Sequence, residues 1–456
     1  MPTSPQYDLM VIGAGPGGYE AALCAARRHG RRVVLFERND LGGTCLNAGC
    51  IPTKCLLRSA KALEDCREAA KFGIDAGAAS PRLDLPSVQQ RKQKVVGTLR
   101  RGIGAMLRTA GIEVVNAEAA ITAPGEITAA GRIYAGTAIL IATGSSPAVP
   151  PIPGLHGNPA VFDSTQLLDI QEIPRQLCII GGGVIGLEFA TFFAAAGTRV
   201  TIMEMMPQIA PVLDDEIARK LLAECKRRGI TFLLGCRVQK IEGHTLFYTD
   251  SAGILQNLTA ECFLNATGRR PNTAGLGLES LGVAVSPRGI TADEYGRTSV
   301  SGILACGDVT GRCLLAHAAA REGTAAVNNL FGAAADRLDY AAIPSVIYTH
   351  PECAQVGATE QSLRKAQIAY RRISVPMATA GRFLVDNEGQ SGTVKVLAAE
   401  SDRKILGLHA IGGSCGEFIC AAAFMVGLHL TADTVEKIVF PHPTVSEALR
   451  EAVLRM

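Results

Sequence analysis

The stretch "YDLMVIGAGPGGYEAALCAARRHGRRVVLFER", residues 7–38, decides the fold. Its apolar run Leu9–Ile12 reads as a buried parallel strand. Gly13, Gly15 and Gly18 follow in GxGxxG spacing, and Ala21 to Ala26 continue as a helix. Glycines at these places permit a tight turn and let the backbone approach a pyrophosphate at the helix N-terminus, where amide groups and the helix dipole favour negative charge. A second strand, Val33–Phe36, ends at Glu37, whose carboxylate is placed to accept hydrogen bonds from ribose hydroxyls. Glycine spacing alone is a weak signal; strand, turn, helix and acid in this order specify a nucleotide site. The arginines of "RRHGRR" (27–32) read as a solvated helix end rather than a nucleic-acid surface.

The pattern recurs in "RQLCIIGGGVIGLEFATFFAAAGTRVTIMEMM", residues 175–206. Strand Leu177–Ile180 leads into Gly181, Gly183 and Gly186, then a helix, then strand Arg199–Met203 ending at Glu204. A carboxylate there suits the free 2′-hydroxyl of NAD and repels the 2′-phosphate of NADP. Two nucleotide folds imply two cofactors, a flavin held permanently and a nicotinamide that comes and goes. Two short stretches support the flavin. "AILIATGSSPAVPPIPG" (138–154) is a strand breaking at Gly144 into a Gly/Ser/Pro linker. "GRTSVSGILACGDVTG" (296–311) is a strand ending on Gly307-Asp308, where the aspartate is placed to hold a sugar-alcohol hydroxyl or else caps a turn. "FLNATGRRPNT" (263–273), with Gly268, closes the second nucleotide domain.

The chain has 456 residues, which fits about three domains at roughly 150 residues each. At 48% hydrophobic and 19% charged it is not a disordered chain, and a net charge of +3 without a basic block gives no nucleic-acid footprint. Fourteen cysteines are scattered, far below the density of a secreted disulfide scaffold. The N-terminus lacks the order of basic region, apolar core and cleavage site, and no apolar stretch of spanning length is free of Gly, Pro and charge. The expectation is a soluble, cytoplasmic protein without a membrane span, whose cysteines mostly stay thiols. "GGTCLNAGCIPTK" (42–54), with Cys45 and Cys50, is then open to three readings: a metal site, buried thiols, or a disulfide that opens and closes in catalysis.

GAGPGG, GTCLNAGCIPTK, ATGSSP, GGGVIGLEFA, ATGRRPN, ACGD, LLAH, IYTHPE and HPTVSE follow one another along nearly the whole chain. In this order they resemble the flavin disulfide reductases (pyridine nucleotide-disulfide oxidoreductases of class I), most closely the dihydrolipoamide dehydrogenase branch. The resemblance implies an α/β protein with two Rossmann-like domains, for FAD and NAD, and a C-terminal α+β dimerisation domain. The implied boundaries are an FAD-binding part at 1–146, an NAD-binding domain at 147–273, a central completion of the FAD domain at 274–342 and the interface domain at 343–456.

A zinc site would want four ligands, yet residues 42–54 hold no histidine and Cys55 has no partner pair. The resemblance instead makes Cys45–Cys50 a redox disulfide beside the flavin, which needs Cα atoms within about 7 Å. A helix N-terminus there would favour the thiolate of a reduced cysteine. By resemblance, Cys45 exchanges with substrate sulfur and Cys50 donates to the flavin. Lys54 lies near the flavin and pairs with Glu188, and Ala316 in "LLAH" contacts the cofactor. His442 in "FPHPTVSEALREAV" takes the thiol proton, with Glu447 fixing its tautomer. This pair is implied to reach the disulfide of the other subunit of a homodimer.

His350 and His317 read as packing or hydrogen-bonding residues, and His409 as a core residue. One departure is Phe440, where many relatives of the lipoamide branch carry a further histidine. The implied reaction oxidises dihydrolipoamide, free or on the lipoyl domain of an acyltransferase, and reduces NAD+, as the E3 component of 2-oxo acid dehydrogenase complexes. The alternative is a glutathione or mercuric reductase-like enzyme with another disulfide or thiol substrate. Those normally use NADPH, against which Glu204 argues, and the C-terminal "EALREAVLRM" lacks the vicinal cysteines of a mercuric reductase.

Overall fold

A computed structural model describes residues 6–75 and 81–456. The chain forms two compact units. One comprises the chain up to Cys55 with Gln89–Ala148 and Gly268–Leu338; the other comprises Leu56–Val88, Val149–Thr267 and Asp339–Met456.

In the first unit the strand Tyr7–Ile12 is central, and Leu9, Met10 and Val11 are fully buried. An unbroken apolar run is what a parallel strand covered on both faces requires. It pairs with Val33–Glu37, Leu9 opposite Val33, and on its other side with Arg132–Ile141, Leu9 opposite Ala138. Glu113–Asn116 extends the sheet beyond Val33–Glu37, and Ile303–Ala305 joins the far side of Arg132–Ile141, all parallel. The first half of Arg132–Ile141 instead pairs antiparallel with Glu126–Ala129, which pairs with Ala119–Ala123.

The helix expected over Ala21 to Ala26 runs from Pro16 to His29. Proline is tolerated at its first position, because the missing amide would have no partner there, so the helix starts before Gly18, the last glycine of the motif, while Gly13 and Gly15 precede it. It stops at Gly30, whose φ of +63° closes the last turn, with Arg27, Arg28 and His29 at the dipole's negative end. That is the solvated helix end read from "RRHGRR". The helix packs on Ala316–Phe331 at a contact where a Cβ on Gly323 would lie 2.2 Å from Gly17 O.

The second unit repeats the parallel order. Thr231–Leu234, Arg199–Glu204, Gln176–Ile180, Cys262–Asn265 and Val161–Asp163 lie side by side, with Gln176–Ile180 in the centre as Tyr7–Ile12 is in the first sheet. Its glycine-loop helix, Val184–Ala195, is buried around most of its circumference, so it is apolar on nearly every face. A three-stranded antiparallel sheet, Arg237–Glu242, Thr245–Thr249 and Leu255–Thr259, follows.

The C-terminal part is a five-stranded antiparallel sheet in the order Ser345–Ile347, Cys353–Gly357, Ile405–Ile411, Thr393–Ala399, Tyr370–Pro376. Helices Cys415–Gly427 and Glu447–Leu454 cover it over a core that includes Val394, Val396, Leu408, Phe418 and Leu449. The fold class is thus two Rossmann-type α/β sheets and a C-terminal α+β sheet. Among the described residues no helix is long and apolar enough to cross a membrane.

One buried charge ties this second unit together. Lys395, 1% exposed, places Nζ 2.7 Å from Asp214 Oδ1, 3.4 Å from Glu216 Oε2 and against Glu360 Oε1. Burial alone would raise both Asp214 and Glu360, but hydrogen bonds from Lys395 outweigh it, holding Asp214 below the ordinary range and Glu360 at about 2. His409 lies 0% exposed with Nε2 2.9 Å from Ala358 O, a core residue as read from the sequence, and burial depresses its pKa. Removing one partner of such a cluster leaves uncompensated buried charge.

Lys395→Met is therefore expected to cost about 3–5 kcal/mol at neutral pH in denaturant unfolding. In the native protein the depressed carboxyls contribute stability above their ordinary values of 3.8 and 4.5, lost as pH falls through the lowered ones. The deficit of the variant should shrink on acidification; a deficit independent of pH would assign Lys395 to packing alone.

Candidate active site

The two glycine loops carry the same steric logic. Gly13 leaves its strand with φ +101°, and a Cβ there would lie 2.4 Å from Ala142 O. A Cβ on Gly18 would lie 1.8 Å from Gly13 O. Gly15 is different: the nearest atom to a Cβ would be Gly43 Cα at 3.9 Å, and its φ of −68° suits any residue. The outer two glycines are compelled by the protein's own packing, and the middle one leaves room in front of a helix start that no side chain caps. That is the cradle a pyrophosphate fills. The second loop agrees: Gly181 has φ +116° with Ala266 O at 2.4 Å, Gly186 meets Gly181 O at 2.1 Å, and Gly183 meets nothing within 4 Å.

The two terminal acids do more than the sequence suggested. Glu37 accepts from Ala14 N (2.7 Å) and Asn39 N (2.8 Å), one amide per oxygen. Glu204 accepts in the same way from Gly182 N (2.7 Å) and Met206 N (2.8 Å). Each carboxylate staples its glycine loop to the end of the second strand, and each oxygen keeps a lone pair for a ribose hydroxyl.

Cys45 lies on the short helix Gly43–Ala48 and Cys50 opens the helix Cys50–Arg67. A disulfide joins them, with Cα atoms 4.6 Å apart. Gly43, at φ +58°, packs so closely that a Cβ would stand 2.6 Å from Gly15 Cα, and Gly42 N donates to Ala14 O at 2.8 Å. The disulfide segment therefore rests on the first nucleotide loop. Asn47, passed over in the sequence, holds the segment's shape: its Nδ2 donates to Leu41 O (3.0 Å) and Gly43 O (2.9 Å), and its Oδ1 accepts from Arg100 (2.8 Å). Thr53 Oγ1 donates to Gly49 O at 2.6 Å, and Lys54 follows in the same helix.

Asp308 sits on the one-turn helix Gly307–Thr310, directly after the strand Ile303–Ala305. It accepts from Ser145 Oγ at 2.5 Å. Gly144 and Gly268 flank the antiparallel pair Ser145–Pro147 and Arg269–Pro271. Ala316 is the first residue of a 16-residue helix whose N-terminus no side chain caps, and His317 is the second.

In the second unit Glu188 is 4% exposed on Val184–Ala195 and accepts from Tyr348 N at 3.0 Å. His350 Nδ1 lies 2.7 Å from Glu64 Oε2, and Arg228 is 2.6 Å from the other oxygen. Burial pushes Glu64 upward, but hydrogen bonds with His350 and Arg228 hold it below the usual carboxylate range. His350 is thus a hydrogen-bonding residue, as expected; Glu64 and Arg228 carried no local signal.

His442 Nδ1 meets Glu447 Oε1 at 2.9 Å, and Glu447 Oε2 accepts from Thr444 N at 3.0 Å. The hydrogen bond with His442, then that with Thr444 N, holds the Glu447 carboxyl below its ordinary value. With a carboxylate on Nδ1, the ring carries its proton there and presents Nε2 as an acceptor, and Nε2 has no protein partner among the described residues. The side chain of His442 is 78% exposed.

A dithiol–disulfide pair on one nucleotide loop, a second nucleotide loop and an oriented histidine define an oxidoreductase that moves electrons between sulfur and a nucleotide cofactor. Residues 7–323 match the pyridine nucleotide-disulphide oxidoreductase family and residues 343–453 its dimerisation domain. The chain belongs to this family, which uses FAD and NAD. It is 38% identical to the dihydrolipoyl dehydrogenase of Thermus scotoductus, over 98% of this chain and 96% of that one. Identity to the dihydrolipoyl dehydrogenase of Chlamydia muridarum is 36%, over 98% and 96%. The HOCl-induced flavoprotein disulfide reductase RclA from Escherichia coli superposes with a TM-score of 0.87 at 29% identity, covering 98% of this chain and 99% of that one.

The loop sterics separate two substitutions. Gly15→Ala should fold with near-native stability and lose flavin. Gly18→Ala should lose about 1–3 kcal/mol through overpacking. Flavin absorbance per chain and thermal unfolding of the flavin-stripped proteins distinguish them.

Proposed function

We infer that the protein is a dihydrolipoyl dehydrogenase working as a homodimer, the E3 component of a 2-oxo acid dehydrogenase complex in the cytoplasm. The observation that carries this is the Cys45–Cys50 disulfide resting on the first glycine loop, and the named relatives support it. Gly13, Gly15, Gly18, Glu37, Lys54, Gly144, Asp308 and Ala316 would hold FAD. Gly181, Gly183, Gly186, Glu204 and Gly268 would hold NAD, with Glu188 facing the nicotinamide. Domain limits at 1–146, 147–273, 274–342 and 343–456 go with this assignment.

FAD supplies a two-electron acceptor and NAD+ the final hydride acceptor. The protein's own residues handle sulfur and protons. A thiolate of dihydrolipoamide attacks Cys45 Sγ, the Cys45–Cys50 bond breaks, and Cys50 leaves as a thiolate favoured by the helix N-terminus it opens. The second substrate thiol, deprotonated, then attacks the substrate sulfur bound to Cys45. A cyclic disulfide leaves, and the two electrons now reside on the cysteine pair. His442 Nε2 takes the thiol proton, and Glu447 stabilises the resulting imidazolium through Nδ1. Ile438 and Val439, 45% and 91% exposed, lie close in sequence to His442 within the dimerisation domain. Covering this face with a second copy brings the histidine of one chain to the disulfide of the other.

Purified protein should turn over dihydrolipoamide with NAD+ far faster than glutathione disulfide with NADPH. A preference for the second pair would overturn the substrate assignment. His442→Gln should lower kcat by about 10²–10⁴-fold in the same assay, with unfolding unchanged. Retained turnover would remove His442 from the chemistry.

A further inference from the structure

The segments leading out of and back into the first unit, ending at Ala148 and resuming at Gly268, are bonded to each other. Ser145–Pro147 pairs antiparallel with Arg269–Pro271. Asn272 clamps the pair: its Nδ2 donates to Thr143 O (2.9 Å), its Oδ1 accepts from Ser146 Oγ (2.8 Å), and its N donates to Gly144 O (2.9 Å).

From this clip a directed chain of hydrogen bonds runs to Asp308. Arg269 grips Ser145 twice, Nε donating to Oγ at 2.7 Å and Nη2 to the carbonyl O at 2.5 Å. Ser145 Oγ, with its one proton, then donates to Asp308 Oδ2 at 2.5 Å. Arg269 Nε also stands 3.9 Å from the same carboxylate oxygen. Ser145 is 4% exposed, and the Arg269 and Asp308 side chains are 14% and 23% exposed, so solvent screens this chain weakly. All the contact falls on Oδ2. Oδ1 has no protein partner among the described residues.

We propose that Ser145 and Arg269 are positioning residues for the flavin. They hold Oδ2 of Asp308 so that Oδ1 faces the sugar-alcohol hydroxyl of the cofactor, and they tie flavin retention to closure of the Ser145–Pro147/Arg269–Pro271 clip. The arginine polarises the serine hydroxyl, and the hydroxyl fixes the rotation of the carboxylate. A free aspartate on a one-turn helix would lose rotamer freedom on binding the cofactor; this one has lost it already. The inference rests on the reading of Asp308 as the flavin's hydroxyl acceptor.

The test is release of FAD from the holoenzyme on serial dilution, read by recovery of flavin fluorescence. The set is Ser145→Ala, Arg269→Ala, Asp308→Ala and the two double variants with Asp308→Ala. Each single variant should raise the FAD dissociation constant about tenfold, the order of one hydrogen bond to a charged group. In the Asp308→Ala background neither Ser145→Ala nor Arg269→Ala should weaken binding further, because the group they act through is gone.

Ser145→Ala, which deletes a single hydroxyl, answers the question even if Arg269→Ala fails to fold. Unchanged FAD binding in Ser145→Ala overturns the relay, as does an equal loss with and without Asp308. In both cases Asp308→Ala still weakens binding, and the flavin reading stands. If Asp308→Ala itself retains FAD like the native protein, the reading of Asp308 falls and takes the relay with it.

Discussion

A side chain at residue 43 would stand 2.6 Å from the Cα of Gly15, so the disulfide segment can lie on the first nucleotide loop only with glycine there. Much follows from this contact. Gly42 donates to Ala14, and Ala14 in turn donates to Glu37, so loop, disulfide helix and second strand form one bonded unit. Cys45 and Cys50 are held by that unit rather than by a flexible connection. Asn47 and Thr53, each bonded to backbone carbonyls of the same short stretch, fix the break between the two helices at Gly49. A redox pair gains from such rigidity, because exchange depends on the angle at which a third sulfur approaches the bond.

The two parallel sheets show how one scaffold serves two purposes. Both place the glycine-loop strand in the centre, and both end the second strand on a glutamate bonded to two backbone amides. The difference lies in what is added. The first loop receives the disulfide segment. The second presents the buried Glu188, which holds the backbone at Tyr348. The glutamate staple also explains why the acid matters beyond its charge: exchanging Glu204 for a basic residue would release the loop from its strand as well as alter cofactor preference.

Much of this was legible in the sequence, and the reason is range. The parallel strands read as apolar runs, the loops as glycine spacing, and His442–Glu447 as a pair five residues apart at a helix start. Cys45 and Cys50 are equally close, though the run alone left metal, thiol and disulfide open. The bonds that were not legible join distant residues: Ser145 to Asp308 across 163 positions, Asp214 to Lys395 across 181, Glu64 to His350 across 286. No periodicity or motif announces that a lysine in a strand will meet three carboxylates, because each is an ordinary charge in its own neighbourhood. Helix limits were also short of the mark, since Gly18 read as a turn residue yet lies within Pro16–His29.

The exposure of His442 bears on the proposed chemistry. Its Nδ1 is committed to Glu447, so its orientation is set, yet 78% of its side chain is open in the single chain. On a side chain so open, water competes for the acceptor nitrogen. Phe424, 63% exposed on the helix Cys415–Gly427, and Leu428, 65% exposed just past its end, add to the uncovered apolar surface of the same domain. In the homodimer proposed above, burying that surface against a second copy would take water from the apolar face, and from the histidine where the interface reaches it. On this reading the fold keeps the base inert until the dimer forms, and the dyad is pre-set so that association need only bring it to the sulfur.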